Sequence, residues 1–309
     1  MSSPLVQVAG YQGAASILTQ ALAQLVAQLD GGPLGPAQLQ ADVTAAGETA
    51  GALFNSVETG QRQIGYMASG YLSARVPELA VLDLPFAIED RRAALAALDG
   101  EAGAMLREAV ARQSGFHVLA FWDNGFRHIS NAVRPLRSPA DCAGLVIRTL
   151  DSQLYRDALD ALGFQALTTD VKELVRVVQD GTVQAQENPL TNLLTFELWK
   201  HHPHVSLSGH FFGVLLLVCP RAWFEGLDRA QRQALEAAVV QATAGQRQSA
   251  AAQDASALAR LASLGVQVLG QDALDLPALQ GATAEVRQRC LAGLPAELVR
   301  AYLPPGLVG

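Results

Sequence analysis

The feature that most constrains the fold is a stretch of 37 residues, 228–264, that contains almost no helix breaker. It reads DRAQRQALEAAVVQATAGQRQSAAAQDASALARLASL and is rich in Ala, Gln and Leu, which favour the helix. At about 1.5 Å per residue, one continuous helix would be about 55 Å long, which exceeds one small domain. The stretch therefore predicts a helix that runs along two domains. The alternative is two helices joined near Gly245.

Strand-like and helix-like segments alternate along the rest of the chain. The pattern predicts a strand over Val6–Ala9 and a helix from Leu18 to Leu29. It also predicts a helix over 91–114 and another strand over 145–149, the run LVIRT. Such alternation is typical of parallel sheets covered by helices, so the predicted fold class is α/β.

Composition excludes several classes of function. The chain has 309 residues, of which 50% are hydrophobic and 17% are charged, so it can bury a sizeable core. The net charge of -7 argues against a nucleic-acid partner, and no apolar run is long enough to cross a membrane. The three cysteines are far apart and form no metal or redox motif.

Neither a catalytic motif nor a metal site emerges from the sequence. There is no G-x-S-x-G, no phosphate-binding loop ending in G-K-[ST], no G-x-G-x-x-G and no H-E-x-x-H. The histidines His201, His202 and His204, with His210 nearby, could bind a metal, but Pro203 interrupts them and favours a polar loop. We therefore predict no catalytic residue, no metal and no cofactor.

Two arginines are more informative. Arg148 lies inside the apolar segment GLVIRT, and Arg127 lies in NGFRHISN, at the start of a strand-like piece. A buried guanidinium is costly unless an anion accompanies it. That anion could be a carboxylate of the protein or the carboxylate of a ligand, which suits the planar fork of arginine.

The segment from Gly125 to Pro189 carries an ordered set of motifs. It contains GFRHISNAVRPLRSPADCAGLVIR and ALGFQALTTDVKELVRVVQDGTVQAQENP; LDLPFAIED precedes it, and His210, Trp223 and Leu227 follow. This set resembles the DctP-like substrate-binding proteins of tripartite ATP-independent periplasmic (TRAP) transporters, over most of the chain. One departure is that the family commonly has Asp-Gly before Gln-Glu-Asn, where this chain has Gln184 and Ala185.

The resemblance implies a two-domain periplasmic binding protein fold. The ligand cleft would lie between the domains, and a long helix would span both. We expect domain I to comprise residues 1–124 and about 211–245, and domain II to comprise 125–210 and about 246–309. Domain II would hold the carboxylate, and the two domains would close on the ligand by a hinge motion.

The resemblance also implies ligand contacts in domain II. Arg148 would form a salt bridge with the substrate carboxylate, Arg127 would be a second arginine contact, Asn188 would supply a carboxamide, and Val171 would lie against the ligand. For domain I we use the rule that α/β folds bind ligands at loops after strand carboxyl ends. The candidates there are Tyr11, Gln12, Ser69 and Tyr71, with Phe212 on the segment that returns to domain I.

The expected function is a periplasmic receptor, acting as a monomer, that captures a small organic acid and delivers it to the TRAP permease membrane subunits. No secretory signal follows Met1, so we expect the signal to be absent from this sequence. Two alternatives stay open. One is a cytosolic two-domain α/β enzyme for a carboxylate substrate, with His128 or His210 as base. The other is a solute receptor for a sensor kinase.

Overall fold

The structure, a computed structural model, describes residues 5–307. In this part of the chain nine strands form one mixed sheet. The strands are β1 (Val6–Ala9), β2 (Ala37–Gln40), β3 (Ile64–Ala68), β4 (Phe116–Asn131), β5 (Val146–Thr149), β6 (Gln165–Thr168), β7 (Ala185–Pro189), β8 (His204–Pro220) and β9 (Gln267–Leu269).

Helices cover the sheet and connect its strands. Over residues 5–307 they are α1 (Ile17–Leu29), α2 (Ala50–Glu58), α3 (Arg91–Asp99), α4 (Glu101–Gln113), α5 (Pro139–Cys142), α6 (Gln153–Ala161), α7 (Leu174–Gln179), α8 (Leu190–Thr195), α9 (Arg221–Glu225), α10 (Arg229–Ser263), α11 (Leu276–Ala282), α12 (Ala284–Ala292) and α13 (Ala296–Tyr302). Short 3-10 helices occur at Thr44–Ala46, Ser69–Tyr71, Pro77–Asp83, Val171–Glu173, Leu198–Lys200, Gln271–Ala273 and Pro305–Leu307. None of the helices in this part of the chain is both long and apolar enough to cross a membrane.

The sheet consists of two parallel groups joined by two long antiparallel strands. Its order is β2-β1-β3-β8-β4-β7-β5-β6, and β9 also pairs with β8. The first group is β1, β2 and β3, and the second group is β5, β6 and β7. The 16 residues of β4 and the 17 residues of β8 pair with each other and connect the groups. The predicted α/β class is confirmed; the residue ranges of the two domains stay a prediction.

The β4–β8 pair is irregular where it passes from one group to the other. Its register shifts between Val118 and Ala120, between Asp123 and Gly125, and between Arg127 and Ile129. Gly125 has a φ of 79°, a value that favours glycine, at the middle shift. Such bulges bend a strand and increase its twist. The bend lies next to Arg127, at the boundary between the two groups.

The predicted long helix is confirmed as one element. Helix α10 has 35 residues, begins with a capping box between Asp228 and Gln231, and continues through Gly245 without a break. At about 1.5 Å per residue it is about 52 Å long. Leu235 packs into the core that covers the first group, whereas Leu261 packs in a separate cluster with Val205. The alternative of two joined helices is therefore wrong.

The predicted helix over 91–114 is two helices. The chain leaves helical geometry at Gly100, which caps α4, and α3 packs against α4. The contact is so close that a Cβ on Gly103 would lie 1.8 Å from the carbonyl oxygen of Leu98. Apolar periodicity continues across this corner, which is why the sequence suggests a single element.

Candidate functional site

A small cavity lies where the two strand groups face each other. The loops after β1 and β3 contribute from the first group, and the ends of β5 and β7 contribute from the second. Its volume is about 30 Å³, which is room for about two water molecules, so the cleft is nearly closed in this structure. The lining residues are Tyr11, Gln12, Leu18, Ala68, Tyr71, Asn124, Arg127, Arg148, Leu150, Val171, Asn188, Asn192 and Leu215.

Most of the site residues predicted from the sequence meet at this cavity. Seven of the nine line it, namely Tyr11, Gln12, Tyr71, Arg127, Arg148, Val171 and Asn188. The structure places Ser69 and Phe212 elsewhere. Ser69 is buried and donates its hydroxyl to Oδ1 of Asp83 at 2.9 Å. Phe212 packs against Phe126, with ring centroids 5.2 Å apart.

Arg127 is paired with a carboxylate of the protein. Its Nη2 donates to Oε1 of Glu187 at 2.8 Å and to the carbonyl oxygen of Glu187 at 2.9 Å, and its Nε donates to Oε2. Both side chains are buried. Burial raises the pKa of Glu187, but the charge of Arg127 outweighs it and the pKa falls to about 2. The pair is therefore fully ionised, and its charges cancel.

Thr149 and His210 complete the surroundings of Glu187. Thr149 donates its hydroxyl to Oε1 of Glu187 at 2.8 Å. Nε2 of His210 lies 3.5 Å from Oε2 of Glu187, and Nδ1 of His210 pairs with the hydroxyl of Ser208 at 2.8 Å. Burial lowers the pKa of His210, despite the neighbouring carboxylate, so the ring is neutral at ordinary pH. Glu187 thus orients its neighbours from behind the cavity wall.

Arg148 has no such partner. Its side chain is 2% exposed, and it donates from Nε to Oγ1 of Thr169 at 3.0 Å and from Nη2 to the carbonyl oxygen of Thr169 at 2.6 Å. Within residues 5–307 no carboxylate oxygen lies within 4.0 Å of its nitrogens, and the hydroxyl of Tyr71 is a further, neutral neighbour of its guanidinium. Burial lowers the pKa of Arg148, as does the charge of Arg127. Arginine nevertheless stays charged, so the cavity contains an uncompensated cation.

Asn188 is held by its neighbours on the floor of the cavity. Its Nδ2 donates to Oε1 of Gln186 at 2.6 Å, and its Oδ1 accepts from Nδ2 of Asn192 at 3.0 Å. Oδ1 also lies 3.4 Å from Nη2 of Arg127. From the first group, Nε2 of Gln12 reaches Oδ1 of Asn192 at 3.5 Å. A chain of amides therefore crosses the cleft, and Asn188 retains one free N–H for a ligand.

Two tyrosines form the opposite wall. The ring of Tyr11 packs on Tyr66 with centroids 4.6 Å apart, and Tyr71 packs on Phe54 at 5.1 Å. The hydroxyl of Tyr71 lies against the guanidinium of Arg148, and the hydroxyl of Tyr11 lies against the backbone of Ala68. Burial raises the pKa of both hydroxyls, so both stay protonated and can donate. The side chain of Asn124 also lines the cavity.

The segment 170–172 joins the two groups beside the cavity. Oδ2 of Asp170 accepts from the backbone N–H of Ala50 at 3.0 Å, at the start of α2. Oδ1 of Asp170 accepts from the backbone N–H of Lys172 at 2.9 Å, and Nζ of Lys172 donates to the carbonyl oxygen of Gly47 at 2.9 Å. These contacts place Val171 against the cavity and link the second group to the loop before α2.

Three residues at or beside the cavity were not predicted from the sequence, although the sequence around two of them indicates their position. Asn192 is four residues after Asn188, so a helix that starts at Leu190 brings the two amides together. Thr169 directly follows β6, in the kind of loop that α/β folds use for ligands. Asn124 has no such signal, because it is exposed to the cavity by the register shift between Asp123 and Gly125.

The departure at Gln184 and Ala185 has a structural explanation. The side chain of Gln184 accepts from the backbone N–H of Val146 at 3.1 Å and donates to the carbonyl oxygen of Gly181 at 3.1 Å. Ala185 is fully buried against Ile147 in the core under the second group. Neither residue has a positive φ, so no glycine is needed at this point.

In the described part of the chain no Asp, Glu, Lys, His or Cys side chain lines the cavity. His128 faces a different pocket, and its Nδ1 accepts from the backbone N–H of Gly209 at 3.1 Å. His210 lies behind Glu187. Within residues 5–307 no group of three or more His, Cys, Asp or Glu side chains is disposed to hold a metal ion.

Comparison with solved structures identifies the fold. A TRAP periplasmic solute-binding protein from Polaromonas, described as bound to D-erythronate, has a TM-score of 0.89 and 25% identity, with 96% of this chain and 97% of that chain covered. A sugar acid binding protein from Advenella mimigardefordensis has a TM-score of 0.90 and 22% identity, with 100% and 97% covered. This chain therefore has the two-domain fold of those binding proteins.

Sequence relatives point the same way. A solute-binding protein of Verminephrobacter eiseniae is 32% identical over 216 residues, which are 69% of this chain and 64% of that protein. The 2,3-diketo-L-gulonate-binding periplasmic protein of Escherichia coli is 29% identical over 253 residues, 81% of this chain and 76% of that protein. In the Verminephrobacter protein, and in relatives from Sinorhizobium fredii and Haemophilus influenzae, the matched part is less than two thirds of the relative's own length.

A family profile covers most of the chain. The profile described as bacterial extracellular solute-binding protein, family 7, named DctP, matches residues 16–293. This range includes all the cavity-lining residues except Tyr11 and Gln12. The chain belongs to the DctP family of bacterial extracellular solute-binding proteins.

Proposed function

We propose that this protein is an extracytoplasmic receptor that captures a small organic acid and delivers it to the membrane subunits of a TRAP transporter. The observation that carries the proposal is Arg148. It is a buried guanidinium that lines the cavity between the two strand groups, and no carboxylate of residues 5–307 neutralises it. A ligand carboxylate would supply the missing charge and accept charge-assisted hydrogen bonds.

Arg127 has a different role in this proposal. Because Glu187 already neutralises it, Arg127 would orient the ligand through hydrogen bonds and would add little net charge to the cavity. It lies over the ring of Tyr155 at 5.5 Å, which further fixes its position. A side chain that is held in its binding position before the ligand arrives loses less conformational entropy on binding.

Closure of the cleft would follow from contacts on both walls. The carboxylate end would meet Arg148 and Asn188 on the second group, and the remainder would meet Tyr11, Gln12 and Tyr71 on the first. A ligand shifts a hinge equilibrium only by the contacts that it gains in the closed form. In this structure the contacts of Asp170 with Ala50 already join the two sides.

Location and partners rest on the family. The relatives include periplasmic binding proteins from Escherichia coli and Rhodobacter capsulatus, and the latter is described as binding C4-dicarboxylates. We assign this chain to the periplasm and to a TRAP permease on that basis. The same bound shape could serve a sensor kinase. Binding of the ligand-loaded receptor to membranes that contain the permease subunits, and not to the kinase's periplasmic domain, would favour transport.

The enzyme alternative is weaker on this geometry. A general base has to lie within hydrogen-bond reach of its substrate. Neither His128 nor His210 lines the cavity, and the two arginines are the ionisable cations that do so in the described residues. Incubation of the protein with each bound acid should therefore return the acid unchanged. Stoichiometric recovery supports a receptor, and turnover of any bound acid would favour an enzyme.

The central test replaces Arg148 by Gln. Loss of a charged partner for a buried carboxylate costs about 2–5 kcal/mol, so affinity for carboxylic acids should fall at least about 30-fold. A thermal-shift screen of organic acids identifies ligands, and titration calorimetry then gives their dissociation constants. Arg176→Gln is a matched control, because Arg176 is an exposed arginine on α7 that does not line the cavity. Equal affinities for wild type and Arg148→Gln would refute the proposal.

A further inference from the structure

One histidine of the cluster at residues 201–204 is completely buried. His202 is 0% exposed. Its Nδ1 lies 3.0 Å from Oγ of Ser130, and its Nε2 has no hydrogen-bond partner within residues 5–307. Burial lowers the pKa of His202 to about 4, so the ring is neutral at pH 7. A buried nitrogen without a partner is costly, so the place of this histidine calls for an explanation.

A chain of hydrogen bonds leads from the cavity to His202. Nδ2 of Asn188 donates to Oε1 of Gln186 at 2.6 Å, and Nε2 of Gln186 donates to Oγ of Ser130 at 2.6 Å. On the other side of Asn188 the chain crosses the cleft to the first group. Its seven members are all buried, and in order they are Ser16, Gln12, Asn192, Asn188, Gln186, Ser130 and His202.

The hydrogen bonds of this chain all point towards His202. The hydroxyl of Ser16 donates to Oε1 of Gln12. Nε2 of Gln12 reaches Oδ1 of Asn192 at 3.5 Å, and Nδ2 of Asn192 donates to Oδ1 of Asn188 at 3.0 Å. Every amide thus accepts at its oxygen and donates from its nitrogen. Because each member uses one end on either neighbour, one amide cannot turn over without the others.

The direction of the chain is decided at its ends. The hydroxyl of Ser130 already accepts from Gln186 and has one proton to donate, which Nδ1 of His202 can accept. If Nδ1 carried a proton instead, the hydroxyl proton of Ser130 and Nε2 of His202 would both lack partners. The first arrangement leaves fewer buried groups unsatisfied, so Nδ1 of His202 is the acceptor at which the chain ends.

Reversal of the whole chain is opposed at the cavity. With every amide turned over, Nδ2 of Asn188 would face Nη2 of Arg127, which lies 3.4 Å from Oδ1 of Asn188 in the observed direction. Two donors would then face each other. The bonds on the His202 side, at 2.6 Å, are much shorter than this contact, so that side holds the amide of Asn188 more firmly.

We infer that His202 is a positioning residue for ligand binding: as the terminal acceptor it fixes the direction of the chain, and thereby the position of the free N–H that Asn188 offers to a ligand. His202 does not line the cavity and acts through Asn188. The inference rests on the proposed function, because the orientation of Asn188 matters for binding only if the cavity is the ligand site.

A first experiment needs no ligand. The ring nitrogens of 15N-labelled histidine report which nitrogen carries the proton, and the signals of His202 are those that disappear in His202→Asn. At pH 7 we expect a bare Nδ1 and a protonated Nε2. A protonated Nδ1, in a neutral or a charged ring, would overturn the inference and leave the proposed function intact.

A second experiment separates positioning from support of the fold. His202→Phe keeps the ring and removes the acceptor, whereas His202→Asn removes the ring and puts a carboxamide oxygen at the place of Nδ1. We expect affinity to fall about 5- to 30-fold in His202→Phe and to stay within about 3-fold in His202→Asn. The Tm should follow the opposite order, because His202→Asn leaves a cavity in the core. A residue that only supports the fold would lower affinity and Tm together.

Calorimetry measures these affinities. D-Erythronate, D-galactonate and succinate are tried, and the tightest binder is the probe. His204→Phe is a matched control, since Nδ1 of His204 pairs with Oε1 of Gln267, outside the chain, and should not change affinity. In an Asn188→Ala background, His202→Phe should cause no further loss beyond about 2-fold, because its effect passes through Asn188. Ser130→Ala breaks the chain one step earlier and should match His202→Phe, so it serves where His202→Phe does not fold.

The outcomes separate this inference from the proposed function. If the probe binds and Arg148→Gln weakens it, but neither His202→Phe nor Ser130→Ala does, the inference alone fails. It also fails if the losses caused by His202→Phe and Asn188→Ala are additive. If no carboxylic acid binds, or if Arg148→Gln leaves binding unchanged, the proposed function fails and the inference fails with it.

Discussion

The two buried arginines of the cavity should affect stability in opposite directions when each is replaced by methionine. Arg148 is 2% exposed; its two hydrogen bonds of ordinary length go to the side chain and carbonyl of Thr169, and the hydroxyl of Tyr71 is a further, neutral neighbour. Burial of a guanidinium costs several kcal/mol, and two hydrogen bonds worth about 1.5 kcal/mol each recover about 3 kcal/mol of it. Arg148→Met in the ligand-free protein should therefore raise the free energy of unfolding by about 1–2 kcal/mol. Thr169 is half-buried, so its hydroxyl and carbonyl can form hydrogen bonds with water in place of those to Arg148.

Arg127 presents the opposite case. Glu187 is fully buried and relies on Arg127 for its charge partner. Arg127→Met would leave that carboxylate unpaired in the core, which costs about 3–5 kcal/mol. For a chain of this length, 1 kcal/mol corresponds to about 2 °C in Tm. We expect Tm to rise by about 2–4 °C in Arg148→Met and to fall by about 6–10 °C in Arg127→Met.

The assay is thermal and urea unfolding of the ligand-free proteins at pH 7, followed by circular dichroism. Arg176→Met on the exposed face of α7 serves as a control and should change the free energy of unfolding by less than about 0.5 kcal/mol. Ligand-induced stabilisation should disappear in Arg148→Met although the protein itself is more stable. If Arg148→Met lowers Tm as Arg127→Met does, Arg148 is not an uncompensated charge and the reasoning is refuted.

Three further predictions concern other parts of the molecule. Burial raises the pKa of Asp83 to about 7, so this carboxyl binds a proton more tightly in the folded than in the unfolded chain; its contribution to stability is full below about pH 4 and is lost as the pH rises to about 7, with a slope of up to about 1.4 kcal/mol per pH unit. Because other buried groups titrate in the same range, the difference between the unfolding free energies of wild type and Asp83→Asn should show that slope in urea unfolding, and a difference that does not change with pH would contradict it. Asp170→Asn weakens the hydrogen bond from the backbone N–H of Ala50, which joins the two sides of the cleft. Ligand affinity measured by calorimetry should therefore drop about 3- to 10-fold. An unchanged dissociation constant would mean that this hydrogen bond does not favour closure. Gly245→Ala should raise the free energy of unfolding in urea by about 0.5–1 kcal/mol, because Gly245 lies within α10 and alanine favours the helix. The new Cβ would meet only the exposed side chain of Gln24. A loss of stability would indicate that the helix needs a glycine at this position.

Features that depend on local patterns were predictable from the sequence. The continuous helix α10 follows from composition alone, and Asn188 falls at the carboxyl end of a strand as expected. Arg148 could be recognised because an arginine within an apolar strand needs an explanation. The loops after β1 and β3 could be placed by the rule for α/β folds, and Tyr11 and Tyr71 follow from it.

Features that depend on distant pairs were not predictable. Arg127 and Glu187 are 60 residues apart, and their pairing depends on the register of β4 against β7. Ser69 also lies in a loop after a strand, but it turns to the buried Asp83 because that carboxyl needs a donor. Phe212 is in β8, and a strand shows alternate side chains to opposite faces, so a one-residue difference in register decides whether it meets the cavity.

The continuity of β4 and β8 has a consequence for how such receptors can diversify. β8 pairs with β3 of the first group, β4 pairs with β7 of the second group, and β4 and β8 pair with each other, so neither half of the molecule is a contiguous piece of chain that could be cut out and inherited intact. Recombination between two genes would exchange fragments that lack half of their sheet. New ligand preferences in this architecture should therefore arise by single substitutions around the cavity, such as a cation in place of Gln12, rather than by exchange of whole modules.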